Sequence, residues 1–380
     1  EPGERMTSTN TRRYRVAIVG GAGMWGRHYL TAAVAHEQCD TILVDTSDRR
    51  DEFAEHNGVT DVYRTLDELF AVEVPDVVCC ILPVQVAPPM VLACVEAGVK
   101  VVSCEKPIAV ELAEADKIVD VCRENGVAFG CATAHWEVPL LRETAAWLAS
   151  GEFGEVTGVA IPGGLPVEVS GAGCVQLTQM RGLTGAEIEW VEGYELPSVD
   201  SYRAPEASDI EADCPAYGRL GLSNGVICEI PEPRDDMRVR CRVSVTTTQG
   251  RLFLQTPAPI ILHGEGASAT PIYPDFLDQE LQGYSMAPRI QSLLDALDAG
   301  DGQVQCSGHD YRQALEAAIA IKQSAANGHE RVSLPLADRS QKIFPHPYRM
   351  RGGDVAGYDS IGYESAPQVD KRRVARDRSS

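Results

Sequence analysis

Three glycines, Gly21, Gly23 and Gly26, stand in G-x-G-x-x-G spacing within VAIVGGAGMWG. An apolar run over 14–19 precedes them and a helical pattern over 24–36 follows. In that setting a glycine turn can cradle a dinucleotide diphosphate. Gly21 is expected to allow the tight turn, Gly23 to admit the phosphates and Gly26 to let helix and strand pack closely. Met24 and Trp25 lie inside the turn and are expected to meet the same cofactor. The helix N-terminus presents its free N–H groups to the anion. A second apolar run ends at Asp45, whose carboxylate can accept both ribose hydroxyls and would repel a 2′-phosphate. Asp45 therefore favours NAD over NADP, against the opposing presence of Arg49 and Arg50.

The elements that must hold this turn alternate regularly. Runs at 14–19, 41–45, 76–82, 100–104 and 127–131 read as buried strands, with helical patterns between them. Thr65-Leu66-Asp67-Glu68 reads as a capping box. The helix before Asn125-Gly126 repeats apolar residues at Leu112, Ala115, Ile118, Val119 and Cys122. Such alternation predicts a parallel sheet covered on both faces. Beyond a helix over 139–147 the pattern changes to longer alternating segments at 155–161, 187–195, 216–222, 226–230, 237–247 and 251–256. Asn224-Gly225 and Gln249-Gly250 read as hairpin turns. Helices near 288–299 and 310–326 follow, the second expected to return to the first domain.

The predicted fold class is α/β: an N-terminal Rossmann domain, then an α+β domain with a large open mixed or antiparallel sheet. A chain of 380 residues fits two domains. Their expected bounds are 12–132 and 133–342, with 343–380 as a Pro/Gly-rich arm and a basic tail (DKRRVARDR).

Composition narrows the function. The net charge of −21, from 34 basic and 55 acidic residues, disfavours binding to nucleic acid or an anionic membrane. It would concentrate a cationic substrate, or it is general surface acidity. No apolar run reaches the ~20 residues of a membrane span, and the N-terminal segment lacks the apolar core of a signal peptide. The twelve cysteines form no C-x-x-C pair and no Cys/His group with zinc spacing, so no metal is expected. Cysteines such as Cys79, Cys80 and Cys104 lie in apolar runs and read as buried reduced thiols, which points to a reducing cytoplasm.

Two further segments carry a resemblance. Leu82-Pro83 ends the fourth strand and Glu105-Lys106-Pro107 ends the fifth. With the glycine turn, in this order and spacing, the sequence resembles the Gfo/Idh/MocA family of glucose–fructose oxidoreductase and inositol 2-dehydrogenase relatives. The likeness continues through SGEFGE at 150–155, the Asn224-Gly225 hairpin and SGHDYRQALEAAIAIKQSA at 307–325. The resemblance implies NAD(P) bound with its nicotinamide facing a cleft between the domains, and Leu82, Pro83, Glu105 and Lys106 beside it. It also implies a small-molecule sugar substrate and a homodimer or homotetramer formed through the second sheet. By the same resemblance Lys106 is the catalytic lysine, exchanging a proton with the reacting oxygen as hydride moves. Partial burial is expected to depress its pKa. The alternative role for Lys106 is an ion pair with Glu105.

The sequence departs from the family at one place. Sugar- and polyol-oxidising members carry D-x-G-x-H-x-x-D on the next helix. The matching stretch here is GAGCVQLTQMRGLTG, 171–185, with Val175 at the histidine and Thr178 at the last aspartate. Neither is a base. Candidate replacements lie in CATAHWEVP: His135 as acid/base, with Trp136 and Glu137 binding a protonated amine by cation–π contact and charge. Gln176 and Thr178 can hydrogen-bond sugar hydroxyls. The acidic run Asp209–Asp213 could hold an amine too, but reads more simply as a solvated loop.

The expected function is an NAD-dependent dehydrogenase or ketoreductase acting on a sugar, aminosugar or cyclitol. The family's occurrence in antibiotic pathways brings aminoglycosides into the substrate range. Two alternatives are a family member that retains NAD during glycoside hydrolysis or elimination, and a non-catalytic sugar- or NAD-binding regulator.

Overall fold

The computed structural model describes residues 12–131, 140–197, 206–234, 241–278 and 287–351, apart from 301, 303 and 305. The first sheet contains β1 (Tyr14–Val19), β2 (Cys39–Val44), β3 (Asp61–Tyr63), β4 (Val77–Cys80), β5 (Val101–Cys104) and β6 (Ala128–Gly130). These strands are mostly buried valine, isoleucine, leucine and cysteine, which suits a sheet covered on both faces. They pair in parallel in the order β3-β2-β1-β4-β5-β6, the doubly wound arrangement.

Connecting helices are α1 (Gly26–Ala35), α2 (Arg50–Asn57), α3 (Leu66–Phe70), α4 (Ala87–Ala97) and α5 (Leu112–Glu124). The buried face of α5 is the predicted set Leu112, Ala115, Ile118, Val119 and Cys122. The predicted box at Thr65 is only half made. Thr65 Oγ1 accepts from the Glu68 N–H at 3.2 Å, but Glu68 Oε2 accepts from the Arg64 N–H instead of closing on Thr65.

A short helix, α6 (Leu141–Ala149), leads into the second domain. Its strands are β7 (Val156–Ala160), then β8 (Ile188–Glu195), β9 (Ala216–Leu222), β10 (Ile227–Ile230), β11 (Val243–Thr247), β12 (Gly250–Leu254), β13 (Ile260–His263), β14 (Thr270–Pro271) and β15 (Val332–Ser333). They form a nine-stranded mixed sheet in the order β14-β13-β12-β11-β7-β10-β9-β8-β15. Only the β7–β10 pair is parallel among its described pairings. Both expected hairpins form, β9–β10 around Asn224-Gly225 and β11–β12 ahead of Gly250.

Between β7 and β8 a π-helical turn at Val169–Gly173 leads into α7 (Cys174–Thr184), which ends at Gly185 with φ 66°. Later come α8 (Ala287–Ala299), α9 (Gly308–Ala326) and α10 (Pro347–Arg351). A complete capping box starts α9: Ser307 Oγ accepts from the Asp310 N–H while Asp310 accepts from the Ser307 N–H. This helix packs against β8 on one side and α5 on another. Its alanines permit that double contact, and Tyr311, Ala314, Ala317, Ala318 and Ile321 are all buried.

Chain order and packing diverge at α8. Ile290, Leu293 and Leu294 share a core with Tyr14, Val16, Ile18, Tyr29 and Leu30 of the first domain. The Tyr14 hydroxyl donates to Asp298 at 2.5 Å. A segment grouped by sequence with the second domain thus covers the first sheet. The C-terminal segment bridges in the same way. The Ile343 N–H donates to Val110 O, the Phe344 N–H to Glu211 O and the Val84 N–H to Arg349 O. All twelve cysteines are unpaired thiols, eleven of them buried and Cys241 half-buried. Among the described residues no helix is long and apolar enough to cross a membrane.

Candidate active site

The glycine turn joins β1 to α1, with the residues in the expected order and one change of role. Gly20 rather than Gly21 takes the left-handed conformation, at φ 81°. A Cβ on Gly26 would lie 1.9 Å from the Gly20 carbonyl oxygen, so only glycine lets α1 start this close to β1. Helix α1 begins at Trp25 with no side-chain cap and no acidic residue in its first turn. Its N-terminal partial charge is left for an external anion.

Asp45 follows β2 and braces the turn. Its Oδ2 accepts from the Ala22 N–H at 2.8 Å and its Oδ1 from the Ser47 N–H at 2.8 Å. Each carboxylate oxygen keeps capacity for a ribose hydroxyl. Both nearby arginines have other bonds. Arg49 pairs with Glu52 at 2.6 Å, while Arg50 donates to Ser47 O and pairs with Asp51.

Glu105 and Lys106 follow β5, and a cis peptide joins Lys106 to Pro107. Lys106 Nζ lies 2.9 Å from Glu105 Oε2, with both side chains 9% exposed. The Tyr29 hydroxyl, from α1, donates to Glu105 Oε1 at 2.7 Å. Burial pushes the Glu105 carboxyl up, but the charges of Lys106 and Arg289 and the bonds from Lys106 and Tyr29 prevail and hold it at about 2. The ion pair and the proposed proton-exchange role of Lys106 are compatible, because one anion fixes its Nζ near Trp25, at the end of the glycine turn. Nζ also sits 5.4 Å from the centroid of the Trp25 ring. The half-buried Leu82-Pro83 segment comes against the turn, where a Cβ on Gly20 would meet Leu82 Cδ2 at 3.1 Å.

Helix α7 begins close to this group. Burial pushes the Cys174 thiol up, and the charges of Lys106, Arg349 and Glu105 all reach it. Val175 is buried. Thr178 is buried too, and its hydroxyl donates back to Cys174 O at 2.8 Å, so it is not turned to a substrate. Gln176 differs: its Oε1 is buried without a hydrogen-bond partner among the described residues. His135, Trp136 and Glu137 lie outside the described residues.

The sequence reading missed the charged group at the head of α7. Glu168 has no exposed surface and pairs with Arg349 of α10, while its Oε2 accepts from the His346 N–H at 2.8 Å. Burial pushes the Glu168 carboxyl up, but the charges of Arg349 and His346 outweigh it and hold it low. Asp213, last of the acidic run, is 3% exposed rather than solvated. It accepts from the N–H groups of Val169, Ser170 and Cys214 and from the Ser170 hydroxyl. Burial, then the charge of Glu168, pushes its carboxyl up against these donors. The only sequence signal for this group was a glutamate ahead of a glycine-rich helix start.

Residues 14–133 match the family model described as an oxidoreductase family with an NAD-binding Rossmann fold. No curated protein sequence matches the chain. Among solved structures, an aldose-aldose oxidoreductase from Caulobacter crescentus complexed with glycerol is 18% identical with a TM-score of 0.68, over 85% of this chain and 100% of that one. A levoglucosan dehydrogenase in complex with NADH and levoglucosan is 16% identical with a TM-score of 0.69, over 86% and 100%. A UDP-N-acetylglucosamine 3-dehydrogenase from Acidithiobacillus ferrooxidans is 18% identical with a TM-score of 0.64, over 84% and 99%. At these identities the likeness is one of fold, and it runs through both domains.

Proposed function

We propose that the chain is an NAD-dependent dehydrogenase or ketoreductase of the Gfo/Idh/MocA kind, whose NAD-binding Rossmann model its residues 14–133 match. Its substrate is a secondary hydroxyl, or the matching ketone, of a sugar, aminosugar or cyclitol. The observation that carries this reading is the place of Lys106, held by Glu105 and facing the Trp25 ring of the glycine turn. NAD, when bound, supplies the nicotinamide that takes the hydride from the carbinol carbon. Lys106, as the neutral amine, hydrogen-bonds the reacting oxygen and takes its proton to become the ammonium that Glu105 holds, which leaves a ketone. Reduction runs the same two transfers backwards.

Asp45 sets the preference for NAD, since its carboxylate faces the ribose and neither Arg49 nor Arg50 is left to meet a 2′-phosphate. Gln176 Oε1 is an open acceptor for a sugar hydroxyl. Trp136 and Glu137 are assigned to an amino group and His135 to acid/base work beside Lys106. The charge of −21 supports a cationic aminosugar of the aminoglycoside kind, made in antibiotic biosynthesis in the cytoplasm. The second sheet serves as the interface of a homodimer or homotetramer.

The test is a panel of neutral sugars, amino sugars and cyclitols with NAD or NADP, followed at 340 nm with product analysis. Net NADH formation on one class supports the reading. Altered sugar without net NADH would replace it with a reaction that retains the cofactor. Ligand binding with no product would replace it with a regulator.

A further inference from the structure

One buried cation packed against the first domain makes no hydrogen bond to an anion among the described residues. Arg289, in the first turn of α8, has 0% exposure, and its Nε and both terminal nitrogens lack hydrogen-bond partners among the described residues. A cation in the first turn also opposes the helix dipole. A buried guanidinium without hydrogen bonds at that end of a helix is unfavourable on both counts.

What surrounds Arg289 shows where an anion would go. Its guanidinium carbon lies 5.4 Å from the Trp25 ring centroid and 5.5 Å from that of Tyr29. Cation–π contact offsets an unpaired charge less well than an ion pair. Glu105 is the anion whose charge reaches Arg289, but it also pairs with Lys106 and no hydrogen bond joins it to Arg289, so one anion stands against two cations. Trp25 is the N-cap residue of α1, and its Nε1 is likewise buried without a partner. A guanidinium, an indole N–H and an uncapped helix N-terminus thus meet at one turn, with no acceptor among them.

We propose that Arg289 is the counter-ion of the cofactor diphosphate, held behind the Trp25 indole until the dinucleotide binds. The inference rests on the NAD-binding reading and adds to it a cation from outside the first ~130 residues. Because Arg289 has no exposed surface, contact requires the Trp25 ring to turn aside.

The test uses the full chain with Arg289→Met, Arg289→Lys and Trp25→Phe, titrated with NAD, ADP-ribose and adenosine by calorimetry and tryptophan fluorescence. Arg289→Met should weaken ADP-ribose and NAD by about 30-fold or more, the usual cost of removing one partner of a buried charge pair. Adenosine, which has no phosphate, should change less than about twofold. Arg289→Lys should keep binding within about tenfold, since a point charge still meets the phosphate. ADP-ribose, not adenosine, should change the fluorescence, and Trp25→Phe should abolish the change. ADP-ribose affinity within threefold of native in Arg289→Met, or an equal loss for adenosine, would overturn the inference. If Arg289→Met does not fold, Arg289→Lys losing adenosine as much as ADP-ribose would overturn it. Failure of the native chain to bind NAD at all would instead remove the NAD-binding reading, and this inference with it.

Discussion

Replacing Glu105 by glutamine tests the electrostatic core of the site. The change keeps size and hydrogen-bonding capacity but removes the anion that faces Lys106 and Arg289. The fold lowers the Glu105 carboxyl from its ordinary 4.5 to about 2. That gap corresponds to about 3 kcal/mol favouring the ionised, folded form at neutral pH. A separate argument agrees, because stripping one partner from a buried ion pair typically costs about 3–5 kcal/mol. Glu105→Gln should therefore lose about 3 kcal/mol at pH 7, read from urea midpoints. The pH dependence has a fixed sign. A carboxylate with a depressed pKa gives its full stabilisation above its unfolded value of 4.5 and loses it as pH falls toward 2. At pH 4 the difference between native and variant should have shrunk by about 1 kcal/mol. A variant within 1 kcal/mol of native at pH 7, or a difference constant from pH 7 to pH 4, would refute the picture of an ionised Glu105 held by two cations.

Two further perturbations probe the elements around this centre. Asp45→Ala should weaken NAD and narrow its advantage over NADP, measured by competitive titration; tighter binding of NADP than NAD by the native chain would reject the ribose assignment. Arg349→Met leaves Glu168 buried beside only His346 and the Tyr348 hydroxyl, so it should destabilise the chain by about 3 kcal/mol. An unchanged thermal midpoint would show that the C-terminal segment is not tied down through that pair.

The sequence showed what local pattern and short motifs encode. Continuous apolar runs gave five of the six parallel strands, with β3 (Asp61–Tyr63) too short and polar to show; the spacing of Leu112, Ala115, Ile118, Val119 and Cys122 gave the buried face of α5, and Asn224-Gly225 gave a hairpin. The glycine turn was legible because its residues are adjacent, although the positive φ falls on Gly20, one place earlier than the motif suggests. Long-range pairings were not legible. Glu168 and Arg349 are 181 residues apart, and neither shows its partner in its own segment. Asp213 sits in a charged run that reads as solvated, and only the fold brings the N–H groups of Val169 and Ser170 onto it. Thr178 was a plausible substrate ligand until the helix showed its hydroxyl returned to Cys174 O. An arginine in an amphipathic helix such as α8 normally points to solvent, so Arg289 gave no warning that it would be buried against Trp25.

The central claim is that Lys106 moves the proton while NAD takes the hydride. Its most direct test is the turnover of Lys106→Ala on the best sugar of the panel, with NAD affinity measured in parallel. Turnover should fall by about 10²–10⁴-fold, the usual contribution of a positioned general acid/base, while NAD affinity changes little, because the glycine turn and Asp45 hold the cofactor. Turnover within threefold of native with NAD affinity intact would contradict the account and move the proton transfer to another residue.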